Sequence, residues 1–312
     1  MRKSLNMSSN KHAYLIIAHN NALQLKLLLE LLDHPRTDIY IHIDEKSMND
    51  FSFVAKDINY SNVYFIPRIP VFWGGYSIVK TEILLLEYAM KNGEYAYYHL
   101  LSGADLPLLR QDKILSFFDA HAGADFISIG NVVSIDDAWF RDRVCLYYPL
   151  QESFSRSSIL GNLWRKISVQ MQKIMRINRH KNDKHEWGIG TQFFDITSDF
   201  ADYVVSNKDL IASLFKNTFI PDEIFLQYMW LNWSNINKKR FINNEENNMI
   251  NHQYMNVLRA VDWKRGTPYI WRREDYDFLL SSHCLFARKF DWSVDSTIIS
   301  MIYNYVCRYS DK

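Results

Sequence analysis

The sequence of 312 residues has little cysteine and no long apolar run. Cys145, Cys284 and Cys307 are far apart and lack CxxC spacing, which argues against a disulfide framework or a zinc site and predicts a reducing cytoplasm. No apolar stretch is long enough to span a membrane, and residues 1–11 are polar, without the apolar segment of a signal peptide. We therefore expect a cytoplasmic protein with a flexible N-terminus at residues 1–11.

Two further absences limit the function. The formal net charge is only +1, so no global charge favours nucleic acid as a partner. Neither G-x-G-x-x-G nor G-x-x-x-x-G-K occurs, so the chain lacks the classical dinucleotide fingerprint and the P-loop.

Apolar runs and helical periodicity alternate along the first part of the chain. This alternation predicts an α/β fold with a mostly parallel central sheet flanked by helices. Repeats and low-complexity linkers are absent, so we expect a single domain over residues 12–312. We predict strands at 12–18, 38–43, 62–66, 95–101, 125–129, 187–194 and 256–263, and helices at 21–32, 77–90, 111–120, 198–215, 274–280 and 292–309. Ser77 is the expected N-cap of its helix, Pro221 opens a further helix, and residues 232–251 are expected to be rich in loops.

The segment from Tyr97 to Leu109 combines a buried strand with an abrupt change of chemistry. Its first half carries only aromatic, aliphatic and histidine side chains, whereas Ser102, Gly103, Asp105 and Pro107 end the strand. A carboxylate at the carboxyl end of a buried strand lies where open α/β sheets bind ligands. The alternative is that Asp105 caps the helix predicted at residue 111.

Residues 153–182 contain no acid but many lysines and arginines, and their apolar residues recur at helical spacing. This composition predicts a basic amphipathic helix. Such a helix can contact an anionic membrane surface or an anionic glycolipid, and we assign this possible contact to residues 156–181. The alternative is a surface helix whose apolar stripe packs on the domain.

Five motifs together resemble the core-2/I-branching enzyme family, glycosyltransferase family 14, which includes peptide O-xylosyltransferases. In chain order they are Ile-Ala-His at 17–19, His-x-Asp-x-Lys at 42–46, Trp-Gly-Gly-x-Ser at 73–77, Leu-Ser-Gly-x-Asp-x-Pro-Leu at 101–108 and Leu-Phe-Ala-Arg-Lys-Phe-Asp at 285–291. The resemblance extends over most of the chain. Animal members are lumenal and disulfide-bonded, so the scarcity of cysteine points to a bacterial branch.

The resemblance implies a fold and a reaction. The fold would be a GT-A-like domain with a nucleotide-binding half at 12–130 and an acceptor-binding and catalytic half at 131–312. The reaction would be inverting transfer of a sugar, N-acetylglucosamine in the first instance, from a UDP-sugar to a hydroxyl. The acceptor would be a glycan or lipid-linked oligosaccharide of a bacterial surface polysaccharide, reached from the cytoplasm or the inner face of the membrane.

The resemblance also implies catalysis without a metal ion or other cofactor. Many glycosyltransferases hold a metal with Asp-x-Asp after a strand. The one Asp-x-Asp here, Asp275-Tyr276-Asp277, has no apolar strand before it, and we interpret it as a solvated helix turn. We therefore expect no metal site.

The resemblance places the catalytic base at Glu223 and the diphosphate-binding cations at Arg259 and Lys289. A carboxylate can take the proton of an acceptor hydroxyl, and two desolvated cations can stabilise a departing diphosphate. From the residues alone, Glu223 equally suits a negative charge placed at the start of a helix, and the two cations equally suit ordinary positions on the protein surface. Arg288 is an alternative to Lys289 that the sequence does not separate from it.

The matching positions for the UDP-sugar are His19, Asp44, Trp73, Gly74 and Asp105, together with Arg259 and Lys289. His19 and Asp44 follow predicted strands, Trp73 offers a ring for stacking, and Gly74 lets the backbone come close to a ligand. Without the resemblance, His19 and Asp44 suit turn capping.

Two alternatives remain open. The first is a different donor, namely UDP-xylose, UDP-galactose, UDP-galactofuranose or UDP-glucuronate, because donor choice depends on a few pocket contacts. The other alternative is a non-catalytic glycan- or membrane-binding protein with the same fold.

Overall fold

The computed structural model describes residues 10–130, 133, 137–153, 158–240 and 258–308. Most of the predicted flexible N-terminus, residues 156–157 of the basic segment and the greater part of the loop predicted after residue 232 lie outside these residues. The strands are β1 (His12–Ala18), β2 (Thr37–Ile43), β3 (Asn62–Phe65), β4 (Tyr97–Ser102), β5 (Leu106–Pro107), β6 (Ala124–Ile127), β7 (Phe194–Thr197), β8 (Lys239–Arg240), β9 (Arg259–Val261) and β10 (Phe286–Arg288). The helices are α1 (Ala22–Leu32), α2 (Tyr76–Asn92), α3 (Gln111–Ala120), α4 (Ala138–Cys145), α5 (Ile159–Ile174), α6 (Ser198–Ser206), α7 (Lys208–Phe215), α8 (Phe225–Leu231), α9 (Tyr276–Ser281) and α10 (Ser296–Arg308).

Within the described part of the chain, seven strands form the central sheet in the order β3-β2-β1-β4-β7-β6-β8. Strands β3, β2, β1 and β4 are parallel, and β7 is antiparallel to both β4 and β6. All residues of β2 and nearly all of β1 are buried, as expected for strands covered on both faces. The predicted α/β fold with a mostly parallel central sheet flanked by helices is therefore confirmed.

Each face of the sheet carries its own hydrophobic core. One core packs β4 and β7 residues such as Tyr98 and Phe194 against α2, α6 and α8. The other packs β1 residues such as Tyr14 and Ile16 against α1, α3 and α10. These layers leave the carboxyl ends of β1, β2 and β4 together at one edge.

A small second sheet, β5-β10-β9, lies at that edge. Strand β10 is antiparallel to β5 and parallel to β9, which brings residues 286–288 next to the chain that leaves β4. The Gln24 amide fastens this arrangement because its nitrogen donates to the carbonyls of Gly103 and Phe290, at 3.2 Å each. The far C-terminal segment is thereby fixed against the start of the chain.

Three local predictions are wrong. Helix α2 is capped by Gly75, not Ser77, and a Cβ at Gly75 would lie 2.7 Å from the Glu152 side chain, whose carboxylate accepts from the Ser77 amide at 2.5 Å. The strand predicted from residue 187 begins only at Phe194, because Gly190 is pressed against the Ser128 carbonyl and the chain there is irregular. The Pro221 helix is a single 3-10 turn, Pro221–Glu223, separate from α8.

Helix α5 confirms the predicted helix in the basic segment, but its apolar stripe does not pack on the domain. Leu160 is 71% exposed, Ile167 46% and Ile174 75%. The packing alternative is therefore wrong for this stripe. Among the described helices, none combines the length and the apolar content needed to cross a bilayer.

Candidate active site

The carboxyl ends of β1, β2 and β4 place three predicted residues along one edge of the sheet. His19 follows β1, Asp44 follows β2, and Asp105 lies in the turn after β4. The segment after β10 joins them, because the Phe290 amide donates to the Ala104 carbonyl at 2.9 Å and Asn21 donates to Asp291 at 3.1 Å.

Lys289 lies within electrostatic range of His19. Partial burial of the ring and the charge of Lys289 together lower the pKa of His19, while Asp44 acts in the opposite direction. The imidazole is therefore neutral near pH 7 and able to accept as well as donate a hydrogen bond. The structure thus brings together His19, Asp44 and Lys289, which are far apart in the sequence.

Asp44 holds a turn. Its carboxylate accepts the amides of Lys46 at 3.0 Å and Val71 at 3.3 Å, so it ties the end of β2 to the loop that carries Trp73. The capping role considered for Asp44 is confirmed, and the predicted nucleotide contact stays a prediction.

Asp105 is fully buried and does not cap α3, whose N-cap is Arg110. Instead, its carboxylate accepts the Ser102 amide at 3.0 Å, the Ser102 hydroxyl at 2.7 Å and Nε of Arg288 at 3.2 Å. The carboxylate therefore orients Arg288, whose guanidinium lies 4.0 Å from the centre of the Phe193 ring and whose side chain is 18% exposed.

The alternative that Arg259 is an ordinary surface cation is wrong, because the residue is buried. Its side chain is 1% exposed, and its guanidinium donates to both oxygens of Asp195, at 2.8 and 3.1 Å, and to the Leu100 carbonyl at 2.9 Å. Burial alone would raise the pKa of Asp195, but Arg259 and His99 outweigh burial and hold the pKa below its usual value. The pair is a buried ion pair that fastens β9 to β4 and β7.

Glu223 forms an ion pair with Arg143. Its carboxylate accepts Nη2 of Arg143 at 3.0 Å, and its side chain remains 37% exposed. Arg143 also donates to the carbonyls of Phe219 and Ile220, at 3.3 and 2.9 Å, so it is held in place by the chain that leads into the 3-10 turn. This arrangement gives Glu223 a fixed position with access to solvent.

Two buried carboxyl groups lie behind Glu223. Burial and the neighbouring charge of Glu223 raise the pKa of Asp222 to about 7, and burial and Asp222 raise the pKa of Glu82 well above its usual value. A carboxylate oxygen of Glu82 accepts a hydrogen bond from the side-chain amide of Gln192 at 2.8 Å. Within the described ranges, one oxygen of Glu82 and one of Asp222 have no hydrogen-bond partner. The site therefore holds a pair of carboxyl groups that favour the protonated form.

No pattern in the sequence singles out Glu82 or Arg143. Each lies within a helix of mixed composition, where an isolated charge is typical of a solvated face. Only their burial and their contacts with the Asp222–Glu223 turn set them apart.

Gln192 contacts the acidic group, and the next residue, Phe193, contacts two of the cations. Gln192 contacts Glu82, and the Phe193 ring faces both Arg288 and Arg259, the latter at 5.6 Å. The ion-pair partner of Glu223 is Arg143, while Lys289 lies with His19. The predicted catalytic residues thus have different neighbours: Glu223 pairs with Arg143, Arg259 pairs with Asp195, and Lys289 acts on His19.

The Trp73–Gly74 loop borders the acidic group. The Ile220 amide donates to the Gly74 carbonyl at 2.9 Å, and Gly74 adopts φ +76°, which favours glycine. Trp73 is 49% exposed, and its ring lines an apolar cavity of about 400 Å³. The cavity lies between this loop, residues 147–151, Phe219 and α5.

Among the described residues, no three or more His, Cys, Asp or Glu side chains are grouped to hold a metal ion. Asp275 lies at the start of a helix, as predicted, but it is buried, not solvated. Its carboxylate accepts Arg265 at 2.7 Å and the Arg272 amide at 3.0 Å. This carboxylate therefore has a structural role.

The fold and the strand-end cluster define an α/β protein of the kind that binds a small ligand at the carboxyl edge of its sheet. The Core-2/I-Branching enzyme family matches residues 12–277. The chain belongs to the Core-2/I-branching enzyme family, a family of glycosyltransferases.

Individual relatives are distant. Xylosyltransferase 2 of Bos taurus is 25% identical over 94% of this chain and 33% of its own length. A human β-1,3-galactosyl-O-glycosyl-glycoprotein β-1,6-N-acetylglucosaminyltransferase is 23% identical over 91% of this chain and 66% of its own. The chain thus spans about a third of the length of the matching xylosyltransferase. Among solved structures, S. aureus TarS (residues 1–349) aligns over 66% of each chain with 13% identity and a TM-score of 0.29.

Proposed function

We propose that the protein is an inverting glycosyltransferase that moves a sugar, N-acetylglucosamine in the first instance, from a UDP-sugar to a hydroxyl group. The acceptor would be a glycan or glycolipid of a bacterial surface polysaccharide, and the reaction would take place in the cytoplasm or at the inner face of the membrane. The observation that carries the proposal is the position of Lys289 near His19, at the sheet edge where a nucleotide is expected, together with the partly exposed Glu223 carboxylate that Arg143 holds in place.

In the proposed reaction, Glu223 takes the proton from the acceptor hydroxyl, and that oxygen attacks the anomeric carbon. The bond between this carbon and the diphosphate oxygen breaks, its electron pair leaves with UDP, and the configuration inverts in one displacement. Lys289 and Arg288 stabilise the negative charge that develops on the diphosphate.

The contacts of Arg259 argue against a direct role in binding the diphosphate. Its guanidinium already binds Asp195, and both Arg259 and Arg288 face the Phe193 ring. We therefore assign direct contact with the diphosphate to Lys289 and Arg288, and electrostatic support from the interior to Arg259. His19, Asp44, Trp73, Gly74 and Asp105 form or support the proposed UDP-sugar site.

The main test is Glu223→Gln in a UDP-release assay across a panel of UDP-sugars with a crude lipid-linked acceptor. We expect normal folding and a loss of transfer of about 10² to 10⁴-fold, because the amide cannot accept the hydroxyl proton. Glu274→Gln, an exposed glutamate on a different helix start, is the matched control. Near-normal turnover of the Glu223 variant would remove this residue as the base. The panel also identifies the donor sugar.

We also propose that transfer proceeds without a metal ion, because two cationic side chains are available for the diphosphate. Activity should be unchanged in EDTA when UDP release is measured under the same conditions. Complete loss that manganese restores would show that a metal performs the task assigned to Lys289 and Arg288.

A further inference from the structure

Helix α5 turns its apolar face to solvent, whereas an ordinary surface helix turns that face toward the core. Eight apolar residues, seven in α5 and its C-cap Met175, are more than a third exposed. They are Ile159, Leu160, Leu163, Trp164, Ile167, Met171, Ile174 and Met175. At 3.6 residues per turn these positions share one arc of roughly 160°.

The inward face of α5 is largely polar. Asn162, Arg165 and Ser168 line the cavity beside the Trp73 loop together with Gly161 and Val169, and Gln172 is the buried residue of the helix. The Gln172 amide accepts from the Tyr147 nitrogen at 2.7 Å and donates to the Tyr147 carbonyl at 2.8 Å. The helix is therefore anchored by polar contacts that fix its orientation and direct the apolar arc outward.

The charges around the arc are of one sign. Lys166, Lys173, Arg176 and Lys181 are exposed on or next to the helix, and no acid occurs between residues 153 and 182. One of these cations, Lys173, is paired with Asp142. An exposed apolar arc with a basic border is the pattern of a helix that lies in the interface of an anionic bilayer.

We propose that the outward face of α5 docks this protein on an anionic lipid bilayer, with the helix parallel to the membrane surface. The apolar arc enters the boundary between headgroups and acyl chains, and the basic side chains contact lipid phosphates. Pairing with a second copy of this chain is disfavoured, because a symmetric contact through α5 would bring two acid-free basic segments together.

Docking through α5 also determines how the cavity faces the membrane. Trp164 belongs to the apolar arc and lines the cavity, so the cavity opens next to the docked face. The same cavity is lined by Trp73, whose loop is hydrogen-bonded to Ile220 shortly before Glu223. An acceptor carried by a membrane lipid would thus approach the proposed base from the bilayer side.

The test is co-sedimentation of the full chain with vesicles of phosphatidylcholine, with and without phosphatidylglycerol. We expect binding only to the vesicles that contain phosphatidylglycerol and a decrease at high salt. Leu160→Gln combined with Ile167→Gln should weaken this binding by about tenfold or more. The matched control is Leu210→Gln with Ile236→Gln, which removes one exposed leucine and one exposed isoleucine elsewhere.

A second pair of variants tests the charges. Lys166→Gln with Arg176→Gln should weaken vesicle binding and reduce its salt dependence, whereas Lys91→Gln with Lys264→Gln, also exposed, should change neither. The thermal unfolding temperature of each variant, compared with that of the unmodified protein, shows whether the variant is folded.

Four results would overturn the proposal. They are absence of vesicle binding, equal binding to phosphatidylcholine alone, equal binding by the α5 variants and their controls, and a dimer that the α5 apolar variant dissociates without any vesicle binding. The last result would identify a second copy as the occupant of this face. No sugar nucleotide takes part in the assay, so its failure leaves the proposed function unaffected.

Discussion

The carboxyl groups of Asp222 and Glu82 are buried, and they lie near the partly exposed carboxylate of Glu223. Their raised pKa values affect both the site and the stability of the protein. A protonated Asp222 adds no negative charge next to the Glu223 side chain. The same shift makes the folded state hold a proton that the unfolded chain releases at lower pH.

The shift of Asp222 predicts how stability changes with pH. Its folded pKa of about 7 exceeds the unfolded value of about 3.9. Between these values the native state binds more protons, so the free energy of unfolding falls as pH rises and the loss is complete above pH 7. Asp222→Asn should therefore stabilise the protein by on the order of 2–4 kcal/mol at pH 8 and by little at pH 4. Urea unfolding at several pH values measures this difference.

The control for this prediction is Asp209→Asn, which changes an exposed aspartate. That variant should follow the pH dependence of the unmodified protein. Parallel pH profiles for the Asp222 variant and the unmodified protein would contradict the assignment of a raised pKa to Asp222.

Some of these candidate residues could be predicted from the sequence and others could not, for physical reasons. Asp105, Lys289 and Glu223 carry motif context or follow predicted elements, so their positions were predictable. The burial of Arg259 was not, because a three-residue strand carries almost no pattern and its partner Asp195 is 64 positions away. Such pairs form only when the whole sheet is assembled.

At the scale of elements, the contact of β9 with the central sheet depends on the Arg259–Asp195 pair. His99 extends the pair, since its Nδ1 lies 2.9 Å from Asp195 and its Nε2 lies 2.8 Å from Nδ1 of His12. Burial and the neighbouring His99 lower the pKa of His12 to about 2, so its ring is neutral. The network therefore joins β1, β4, β7 and β9 through one buried ion pair.

Arg259→Met should destabilise the protein by about 3–5 kcal/mol, because Asp195 would remain buried without its cation. The additional change Asp195→Asn should recover part of this loss, since it removes the uncompensated charge. Urea unfolding of both variants measures the effect, with Arg273→Met, an exposed arginine, as the control. A loss of transfer with less than about 1 kcal/mol of destabilisation would instead indicate a direct catalytic contact for Arg259.

Most elements were predictable because buried strands and amphipathic helices have strong periodicity. Strand β1 and helix α3 have the predicted bounds, and β2 and β3 differ by one residue. The errors occur where long-range contacts decide local structure. Gly75 caps α2 because Glu152, distant in sequence, supplies the carboxylate for that helix start.

At the scale of the molecule, the site is assembled from segments that no local pattern joins. The turn after β1, the loop after β2, the turn after β4 and the exit of β10 meet because three strands are parallel and Gln24 fastens the last segment. The family motifs predicted these members, and the sheet explains their proximity. The acidic group is connected to them through Gln192 and Phe193.

This assembly makes a last prediction about the whole molecule. The proposed function requires that UDP binds the native state, and UDP should therefore stabilise the fold by about 2.7 kcal/mol at a concentration one hundred times its Kd. Since the proposed contacts lie on both His19 and Lys289, hydrogen exchange should slow together in residues 17–21 and 286–291. In Lys289→Gln this joint protection should fall at the same UDP concentration, whereas Lys264→Gln, an exposed lysine, should retain it. Protection of residues 17–21 alone would mean that the nucleotide does not reach Lys289, and the diphosphate would then need a different cation.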